Sequence, residues 1–531
     1  NTEEGVQVLT RGPVHEAFAE TVTFDPEPGI VVAKAPPAAI EEVPPEQRLE
    51  GANIAWIPGY WGWDDEGNDF LWVSGIWRDL PPGRQWVPGY WGQSGQGFQW
   101  TSGYWANTQV SDVEYLPEPP ATVEAGPNIA APLPDDTWLP GCWVWQTGRY
   151  AWRPGFWAPV QPNWVWIPAH YVWAPLGYVF VDGYWDYSIG RRGVLFAPVY
   201  FNADVYGRRG FLYSPATVIN PAVFANYLFL RPQYQHYYFG DYYAANYGSE
   251  GFYPSYAINS GRFGYDPIYA YDRWQHRQDR GWEQRQRADF QDRRAHEDLR
   301  PPRTWAAQKG IDARTVQSRE KGIVMAASLD HLTRSKNSPL RFQPVDKAER
   351  QRLVQQAQDV QRFRQQRQKL ENNVAGDAAG TPTKEFAPAK VRLPASPIVA
   401  KPVAEIGKDH APPKMYEAPR PDRKVEPKPR ANQLGPAIPP RVDQPRPQPQ
   451  PKAERPAPQP QPQPKAERPA PQPEPKAERP APQPQPKAER PVPQPQPKAE
   501  RPVPQPQPKV EQPSPPLRGN GPVGPPPAGP K

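Results

Sequence analysis

Trp56-Ile57-Pro58-Gly59-Tyr60-Trp61 is the first copy of a motif, Trp-x-x-Gly-x-Trp, that recurs as far as Trp185. The copies are WIPGYW (56–61), WVSGIW (72–77), WVPGYW (86–91), WTSGYW (100–105), WLPGCW (138–143), WRPGFW (152–157) and the degenerate WIPAHY (166–171) and FVDGYW (180–185). The copies at 86 and 100 start 14 residues apart, as do those at 138, 152, 166 and 180. A fixed period of this kind indicates one repeated supersecondary unit.

Two residue types define the repeat, and we expect both to be structural. The tryptophans are Trp56, Trp61, Trp72, Trp77, Trp86, Trp91, Trp100, Trp105, Trp138, Trp143, Trp152, Trp157, Trp166 and Trp185, and the glycines are Gly59, Gly75, Gly89, Gly103, Gly141, Gly155 and Gly183. Eighteen of the chain's 21 tryptophans fall within residues 56–185. Because large aromatic side chains dominate the cores that contain them, this region is predicted to hold the core.

Aromatic residues next to the motifs alternate at period two, which is typical of β-strands. Phe70 stands two residues before Trp72, and Phe98 stands two residues before Trp100. The spacers at 64–69 and 92–97 are rich in residues that favour turns. The repeats are therefore predicted to be antiparallel strands joined by these turns.

The spacing inside one motif leaves two conformations open. Five residues separate Trp56 from Trp61, so an uninterrupted strand would point them to opposite faces. Pro-Gly could form the tip of a two-residue hairpin, or the motif could be one strand with a bulge at Gly. Pro-Gly favours a type II turn, which suits such hairpins poorly. We therefore favour one bulged strand per motif and a four-strand meander in each block.

Composition divides the chain into seven segments. They are a flexible leader (1–55, with one short strand at 21–24), the first repeat block (56–105), a proline-rich acidic linker (106–137), the second repeat block (138–187), a Tyr-rich extension of strands and loops (188–272), a polar helical region (273–375) and a disordered proline-rich tail (376–531). The expected fold is mainly β, with Trp/Tyr-rich antiparallel meander repeats in a sandwich or barrel-like unit, then one or two polar helices and the tail.

The helical region is predicted to contain helices at 273–299 and 346–371. The apolar stripe of the second is thin, with Leu353, Ala357, Val360 and Leu370 as its members. We therefore favour a solvated single helix over a coiled coil. In the tail, Lys recurs every 11 residues from 465 to 509 within PKAERPxPQPQ repeats, and such alternating proline favours an extended polyproline II spacer.

Bulk properties limit the setting. The formal charge is only +6 on 531 residues, so binding of nucleic acid is not required. The single cysteine, Cys142, rules out an intrachain disulfide and is interpreted as a small apolar filler. No apolar run approaches the roughly 20 residues of a membrane-spanning helix. We expect an exported protein of the periplasm or outer cell envelope, or a secreted one, with no signal peptide visible.

Patterns of catalytic and metal-binding residues are missing. The seven histidines have no second His or Cys at a metal-ligand spacing, and His170 stands at an aromatic position of a degenerate repeat. Asp64, Asp65, Glu66 and Asp69 cluster in one turn, but their spacing does not match a calcium loop. The two Gly-Arg-Arg-Gly sequences at 190–193 and 207–210 are interpreted as exposed hairpin turns. No catalytic residue, cofactor or metal is expected.

The recurring motif resembles the bacterial YXWGXW or WXXGXW repeat-containing proteins. The resemblance covers about 56–185, with six intact copies, while His170-Tyr171 and Phe180 depart from the pattern. It implies exported or envelope-associated proteins that are essentially uncharacterised, and it supplies no catalytic residues.

These observations favour a non-enzymatic exported structural or interaction protein with an aromatic β-repeat head on a proline-rich spacer. The first alternative is a glycan- or peptidoglycan-binding module with exposed Trp and Tyr. The second is an RNA-associated protein, although nucleic acid is the least expected partner. Envelope proteins or cell-wall glycan are the expected partners, and the oligomeric state is left open.

Overall fold

The computed structural model describes residues 5–259, 263–311, 324–335, 340–378, 388–407 and 411–416. Within these residues the chain consists mostly of antiparallel strands with small helices, as the repeat pattern predicts, and the strands do not close into a barrel. The repeat motifs supply the longest strands because their alternating aromatic residues suit a pleated, buried surface.

Eight motifs form four β-hairpins, each built from two motifs. Hairpin 1 (54–79) has strands Ile54–Ile57, Tyr60–Asp64, Asp69–Val73 and Ile76–Asp79; hairpin 2 (84–107) has Arg84–Val87, Tyr90–Ser94, Gly97–Thr101 and Tyr104–Asn107; hairpin 3 (136–159) has Asp136–Leu139, Cys142–Gln146, Arg149–Arg153 and Phe156–Pro159; and hairpin 4 (164–187) has Trp164–Ile167, His170–Ala174, Gly177–Val181 and Tyr184–Tyr187.

Each motif is one arm of a hairpin, interrupted at its third and fourth positions. Trp56 pairs with Trp77, so the Pro-Gly turn that would place Trp56 opposite Trp61 is wrong. The bulge is also wrong, because the register is unchanged across the interruption: Ile57 faces Ile76 before it and Tyr60 faces Val73 after it. Both arms break their pairing at the same level, so no extra residue is inserted.

The hairpins of one block do not pair with each other as the four-strand meander would require. Strands from elsewhere either extend some of these sheets or pair with one another. They are Val6–Val8, Gly12–Pro13, Val22–Thr23, Val31–Val32, Glu41–Glu42, Gln47–Leu49, Asp112–Leu116, Gly193–Leu195, Val199–Phe201, Leu212–Tyr213, Thr217–Ile219, Leu228–Arg231, His236–Phe239, Tyr253–Pro254, Gly264–Tyr265, Ala326–Ser328, Phe342–Pro344 and Ala389–Arg392. Asp112–Leu116, for example, joins the edge of hairpin 4.

Part of the leader is buried in the core, which a flexible leader would not be. Residues 9–23 are buried throughout, and Phe18 packs in the central hydrophobic cluster. The expected strand in the leader is present as Val22–Thr23. Sequence patterns missed this burial because the leader has no periodicity and obtains its partners from distant segments.

The two repeat blocks share one core. A single cluster contains Ile57 of hairpin 1, Trp86 of hairpin 2 and Tyr184 of hairpin 4, together with Phe229 and Phe239 of the Tyr-rich extension. All of these residues belong to one compact unit, 1–430.

Eleven α-helices lie among the described residues. They are Ile189–Arg192, Ala203–Tyr206, Pro221–Phe224, Ala245–Ser249, Ser255–Ile258, Pro267–Gln275, Trp282–Ala295, Trp305–Gly310, Leu329–Arg334, Lys347–Ala378 and Val403–Ile406. Two of them, Pro267–Gln275 and Trp282–Ala295, replace the single helix expected at 273–299. Among the described residues, no helix combines the length and the apolar character that crossing a bilayer requires.

One face of the helix Lys347–Ala378, here called the long helix, is packed into the core, so it is not the solvated single helix that was expected. Val360 and Phe363 join the central cluster, and Arg367 and Glu371 are fully buried. The segment after the long helix also packs against the rest of the structure, because Val391 pairs with Val113 and Ile398 is buried. The disordered tail expected from 376 therefore starts too early, and its residues from 417 onward lie outside the described residues.

Candidate functional site

The glycine of each motif is required because the leading tryptophan of the partner motif lies against it. A Cβ on Gly75 would stand 2.5 Å from Cζ2 of Trp56, and one on Gly103 would stand 2.6 Å from Cζ2 of Trp86. The same contact recurs in hairpin 3, where Gly155 faces Trp138 at 2.5 Å. The spacing Trp-x-x-Gly therefore encodes a contact between two motifs and not a local turn.

The tryptophans of facing motifs pair across the hairpins, edge to face in hairpins 1 and 3 and tilted in hairpin 2. The leading and trailing rings Trp56 and Trp77 have centroids 5.1 Å apart, and Trp61 and Trp72 have centroids 5.2 Å apart. Such aromatic pairs contribute about 0.5–1.5 kcal/mol beyond the burial of their area. In hairpin 4 the smaller Tyr171 and Phe180 form the equivalent pair at 5.1 Å.

A carboxylate from outside the hairpin occupies the interruption of hairpins 1 and 2. Glu42 accepts hydrogen bonds from the backbone N–H of Gly59 (2.7 Å) and Gly75 (2.9 Å) and from the indole of Trp72 (3.1 Å). Glu16 accepts from the indole of Trp100 and the N–H of Gly103, both at 3.0 Å. The carboxylate satisfies donors that the broken strand pairing leaves free.

The other two hairpins receive equivalent carboxylates. Glu124 accepts from the N–H of Gly141 (2.5 Å) and the indole of Trp138 (3.1 Å). In the degenerate hairpin 4, Glu20 instead contacts Nε2 of His170 (3.2 Å) and accepts from the hydroxyl of Tyr184 (2.6 Å). His170 is thus a buried structural partner of a carboxylate.

Sequence reasoning missed these four glutamates, although one signal was present. Glu42 and Glu124 each stand 14 residues before the leading tryptophan of their hairpin, Trp56 and Trp138. Burial raises the pKa of Glu42 to about 7, because the three N–H donors do not compensate for the loss of water. The pKa of Glu16 is raised for the same reason.

Trailing aromatic residues attach the hairpins to other segments through their ring donors. The indoles of Trp61, Trp77, Trp143, Trp157 and Trp185 donate to the carbonyls of Ala38, Gln47, Ala121, Ile129 and Lys414. Between hairpins, Trp91 donates to the carbonyl of Trp61 and Tyr171 donates to that of Trp143. The two blocks therefore repeat the same contacts. In each block the segment that precedes the first hairpin, here called a strap, accepts these hydrogen bonds through its main-chain carbonyls.

Hairpin 3 differs from the others because none of its tryptophans is fully buried. All five of its tryptophans are half-buried: Trp138, Trp143, Trp145, Trp152 and Trp157. In hairpin 1, by contrast, the four motif tryptophans are at most 5% exposed. Hairpin 3 therefore has the most half-buried indoles, compared with Trp91 alone in hairpin 2 and Trp166 and Trp173 in hairpin 4.

Two clefts adjoin this exposed hairpin. The first, of about 320 Å³, lies between Trp138 and Trp157 on one side and the helices Pro267–Gln275 and Trp282–Ala295 on the other. The second, of about 280 Å³, is lined by the same two tryptophans and by Tyr265. We define these clefts and the indoles of hairpin 3 as the aromatic cleft, the candidate functional site.

Charged side chains form the rim of the aromatic cleft. Arg277 lies over the ring of Trp274 at 4.4 Å and pairs with Asp135 at 2.5 Å. Arg273 pairs with Glu283 at 2.6 Å. The arrangement offers indole surface with hydrogen-bonding groups at its edge, which suits binding.

The acidic turn of hairpin 1 forms ion pairs and does not form a cation site. Its partners are Arg11 and Arg303 with Glu66, Arg231 with Asp65, Lys34 with Asp69, and Tyr200 and the N–H of Gly67 with Asp64. A depression of about 780 Å³ lies beside this turn. Across the described ranges, no three His, Cys, Asp or Glu residues are grouped to hold a metal ion.

Two further features singled out in the sequence are Cys142 and the first Gly-Arg-Arg-Gly sequence. Cys142 is half-buried, its sulfur accepts from Arg153 at 3.0 Å, and burial raises the pKa of its thiol. The first Gly-Arg-Arg-Gly sequence is not an exposed hairpin turn, since it lies in the helix Ile189–Arg192 and Arg192 is 1% exposed. Arg192 contacts the carboxylate of Asp186 at 3.1 Å.

Comparison with known protein families matches the two-motif hairpin. A family model described as WXXGXW repeat (2 copies) matches residues 55–78, 137–158 and 162–186, which are hairpins 1, 3 and 4. Neither the comparison with curated proteins nor that with solved structures yields a match. Hairpin 2 has the same construction, so one hairpin corresponds to the two copies of the family model. Over these three hairpins the chain is similar to the WXXGXW repeat family.

Proposed function

We propose that the protein is a non-enzymatic interaction protein of the exported, cell-envelope class, and that the aromatic cleft of hairpin 3 is its binding surface. The observation that supports this proposal is the contrast between hairpins: hairpins 1 and 2 enclose almost all of their indoles, whereas hairpin 3 leaves five half-buried. Exposed aromatic residues beside a cleft are typical of recognition surfaces.

The rest of the chain fits this role. The head is held by buried ion pairs and aromatic contacts, which gives hairpin 3 a rigid support. The proline-rich sequence that follows is suited to act as a spacer between the head and its point of attachment.

A pull-down from envelope fractions tests the proposal. Full-length protein is compared with the double substitution Trp138→Ala and Trp157→Ala, which removes the shared walls of both clefts. Gln93→Ala, at the exposed turn of hairpin 2, is the matched control. We expect the double variant alone to lose its captured partner while still unfolding cooperatively in urea. Equal capture by all three proteins would contradict the proposal.

Glycan binding is the second candidate, because the cleft combines indole faces with a polar rim. The Arg277 guanidinium and the Asp135 carboxylate could bond to sugar hydroxyls while Trp138 or Trp157 packs against a sugar ring. Titration calorimetry with soluble peptidoglycan fragments at millimolar concentration tests it. No heat of binding at that concentration would exclude this candidate. An RNA-associated role is weakened because Arg192 of the first Gly-Arg-Arg-Gly sequence is buried.

A further inference from the structure

Three trailing tryptophans make the same contact with proline-rich segments. Their indole N–H groups donate to the carbonyls of Ala38 (2.9 Å), Ala121 (3.1 Å) and Lys414 (3.1 Å). Each acceptor directly follows a Pro-Pro pair, which is Pro36-Pro37, Pro119-Pro120 and Pro412-Pro413. The repetition on hairpins 1, 3 and 4 indicates a shared mode of recognition.

The chemistry of this contact suits extended proline-rich chains. Residues 35–40, 117–121 and 411–416 are in neither helix nor strand, and the residue after each Pro-Pro pair is exposed. Proline lacks an N–H, so its segments offer carbonyl acceptors to an aromatic surface that carries a donor. The acceptor residue is Ala, Ala or Lys, so its side chain is not read.

The contact on hairpin 4 is made by a segment from far along the chain. Lys414 is 229 residues from Trp185, whereas Ala38 and Ala121 are 23 and 22 residues from their tryptophans. The hairpin 4 site therefore holds its segment without a short covalent connection, as a binding site holds a ligand.

Tyr416 completes the site on hairpin 4. Its ring lies 5.0 Å from Trp166 and 4.7 Å from Trp185, and its hydroxyl donates to the carbonyl of Pro159. A cavity of only about 20 Å³ is left beside it, so the segment fills the groove. We define Trp166, Trp185 and the carbonyl of Pro159 as the proline-segment groove.

We propose that the proline-segment groove is a binding site for extended Pro-Pro-x-x-Tyr segments, and that residues 411–416 of a second copy of this chain occupy it in exchange for the chain's own. The second copy carries a sequence whose fit to the groove is seen here, and exchange would preserve every contact. Two chains that exchange reciprocally form a closed dimer. The groove adjoins the aromatic cleft, but Trp166, Trp185 and Pro159 do not line that cleft, so the proposal does not depend on the function proposed above.

Sedimentation velocity of the full chain from 1 to 200 µM tests the exchange. We expect a monomer–dimer equilibrium that an excess of a synthetic Ala-Pro-Pro-Lys-Met-Tyr peptide shifts to monomer. A donor-deficient chain with Pro412→Gly, Pro413→Gly and Tyr416→Ala is expected to remain monomeric. Because these residues are half-buried at most, the chain should stay folded; Tyr416→Ala alone serves if it does not.

Fluorescence anisotropy of the labelled peptide tests the groove itself. The donor-deficient chain should bind the peptide at least tenfold more tightly than the wild-type chain, whose groove is filled. Trp185→Phe in that background removes the N–H and should weaken binding by roughly tenfold, whereas Trp157→Phe on hairpin 3 should not. The proposal is overturned if the peptide does not bind, if a Pro→Ala peptide binds equally well, or if the wild-type chain remains monomeric at 200 µM.

Discussion

Glu42 lies between two glycines of facing motifs, and its Oε1 accepts a hydrogen bond from the backbone N–H of Gly75 at 2.9 Å. Its second oxygen binds the N–H of Gly59 at 2.7 Å. One side chain thus replaces the pairing that the two arms of hairpin 1 lose at their interruption. Glu16 and Glu124 likewise accept from a motif glycine, and Glu20 binds His170 and Tyr184 in hairpin 4, so a carboxylate is part of the repeat although it lies outside the motif.

Substitution of Glu42 should change the pH dependence of stability. Its folded pKa of about 7 is higher than the ordinary 4.5, so the folded state binds the proton more tightly than the unfolded state. Stability is therefore retained below pH 4.5 and falls as the pH rises toward 7, by roughly 3 kcal/mol at 1.36 kcal/mol per pKa unit. Glu42→Gln should reduce this decrease, as measured by thermal melts at pH 5, 6, 7 and 8.

The neighbouring Glu41 supplies the control for this experiment. It is exposed and lies in the same short strand as Glu42. Glu41→Gln should melt with the wild-type pH profile. Identical profiles for the wild type and both variants would show that the buried carboxylate does not change its protonation between pH 5 and 8.

Adding a methyl group to a motif glycine should destabilise the head. In Gly103→Ala the new Cβ would lie 2.6 Å from Cζ2 of Trp86 and 2.8 Å from the backbone nitrogen of Gly89. Neither atom belongs to a flexible chain end, so we expect a loss of about 2–3 kcal/mol. Gly95→Ala, in the turn of the same hairpin, has nothing within 4 Å and should be nearly neutral. Urea unfolding compares the two, and equal midpoints would refute the packing argument.

Hairpin 4 suggests a compensating substitution. It carries Ala169 at the glycine position and Phe180 at the facing leading position, so a larger residue stands opposite a smaller ring. Trp86→Phe should therefore cost less in the Gly103→Ala background than in the wild type. A double-mutant cycle measures the coupling, which we expect at about 1 kcal/mol. Additive effects would mean that the two degenerate positions are unrelated.

The sequence predicts the strands, the turns and the structural role of tryptophan and glycine, because these depend on local alternation and spacing. It does not predict the partners of each hairpin. The straps bind through main-chain carbonyls such as those of Ala38 and Ala121, which have no side-chain signature. The sequence of one motif also does not explain why its strand pairing is interrupted. The cause is the contact between the ring of Trp56 and Gly75 on the other arm, and not the Pro-Gly pair.

The long helix shows why burial was missed. Arg367 and Glu371 are four residues apart, a spacing typical of solvated ion pairs on helix surfaces. Here Nε of Arg367 donates to Glu371 at 2.8 Å with both side chains 0% exposed. The pair can be buried because distant groups form hydrogen bonds with it: the hydroxyls of Tyr90 and Tyr115 donate to the carboxylate of Glu371 at 2.6 and 2.7 Å. No local pattern in residues 347–378 specifies these distant partners.

Removing the charge of Arg367 should therefore be among the most destabilising changes in the head. Its Nη1 donates at 3.0 Å to the carbonyls of Pro88 and Ser102, at the interruption of hairpin 2, while its Nε binds Glu371. Arg367→Ala would leave those acceptors unpaired and one carboxylate buried without its cation, a loss of about 3–5 kcal/mol.

Two further substitutions show whether the cause is the buried guanidinium. Arg367→Lys should recover little, because one ammonium cannot reach the three acceptors that the guanidinium spans. Arg362→Ala, on the same helix with a side chain 65% exposed, should be nearly neutral. Thermal unfolding followed by near-ultraviolet circular dichroism, which reports on the packed indoles, compares the three variants. If Arg367→Ala unfolded at the same temperature as Arg362→Ala, the buried charges of the long helix would not be stabilising hairpin 2.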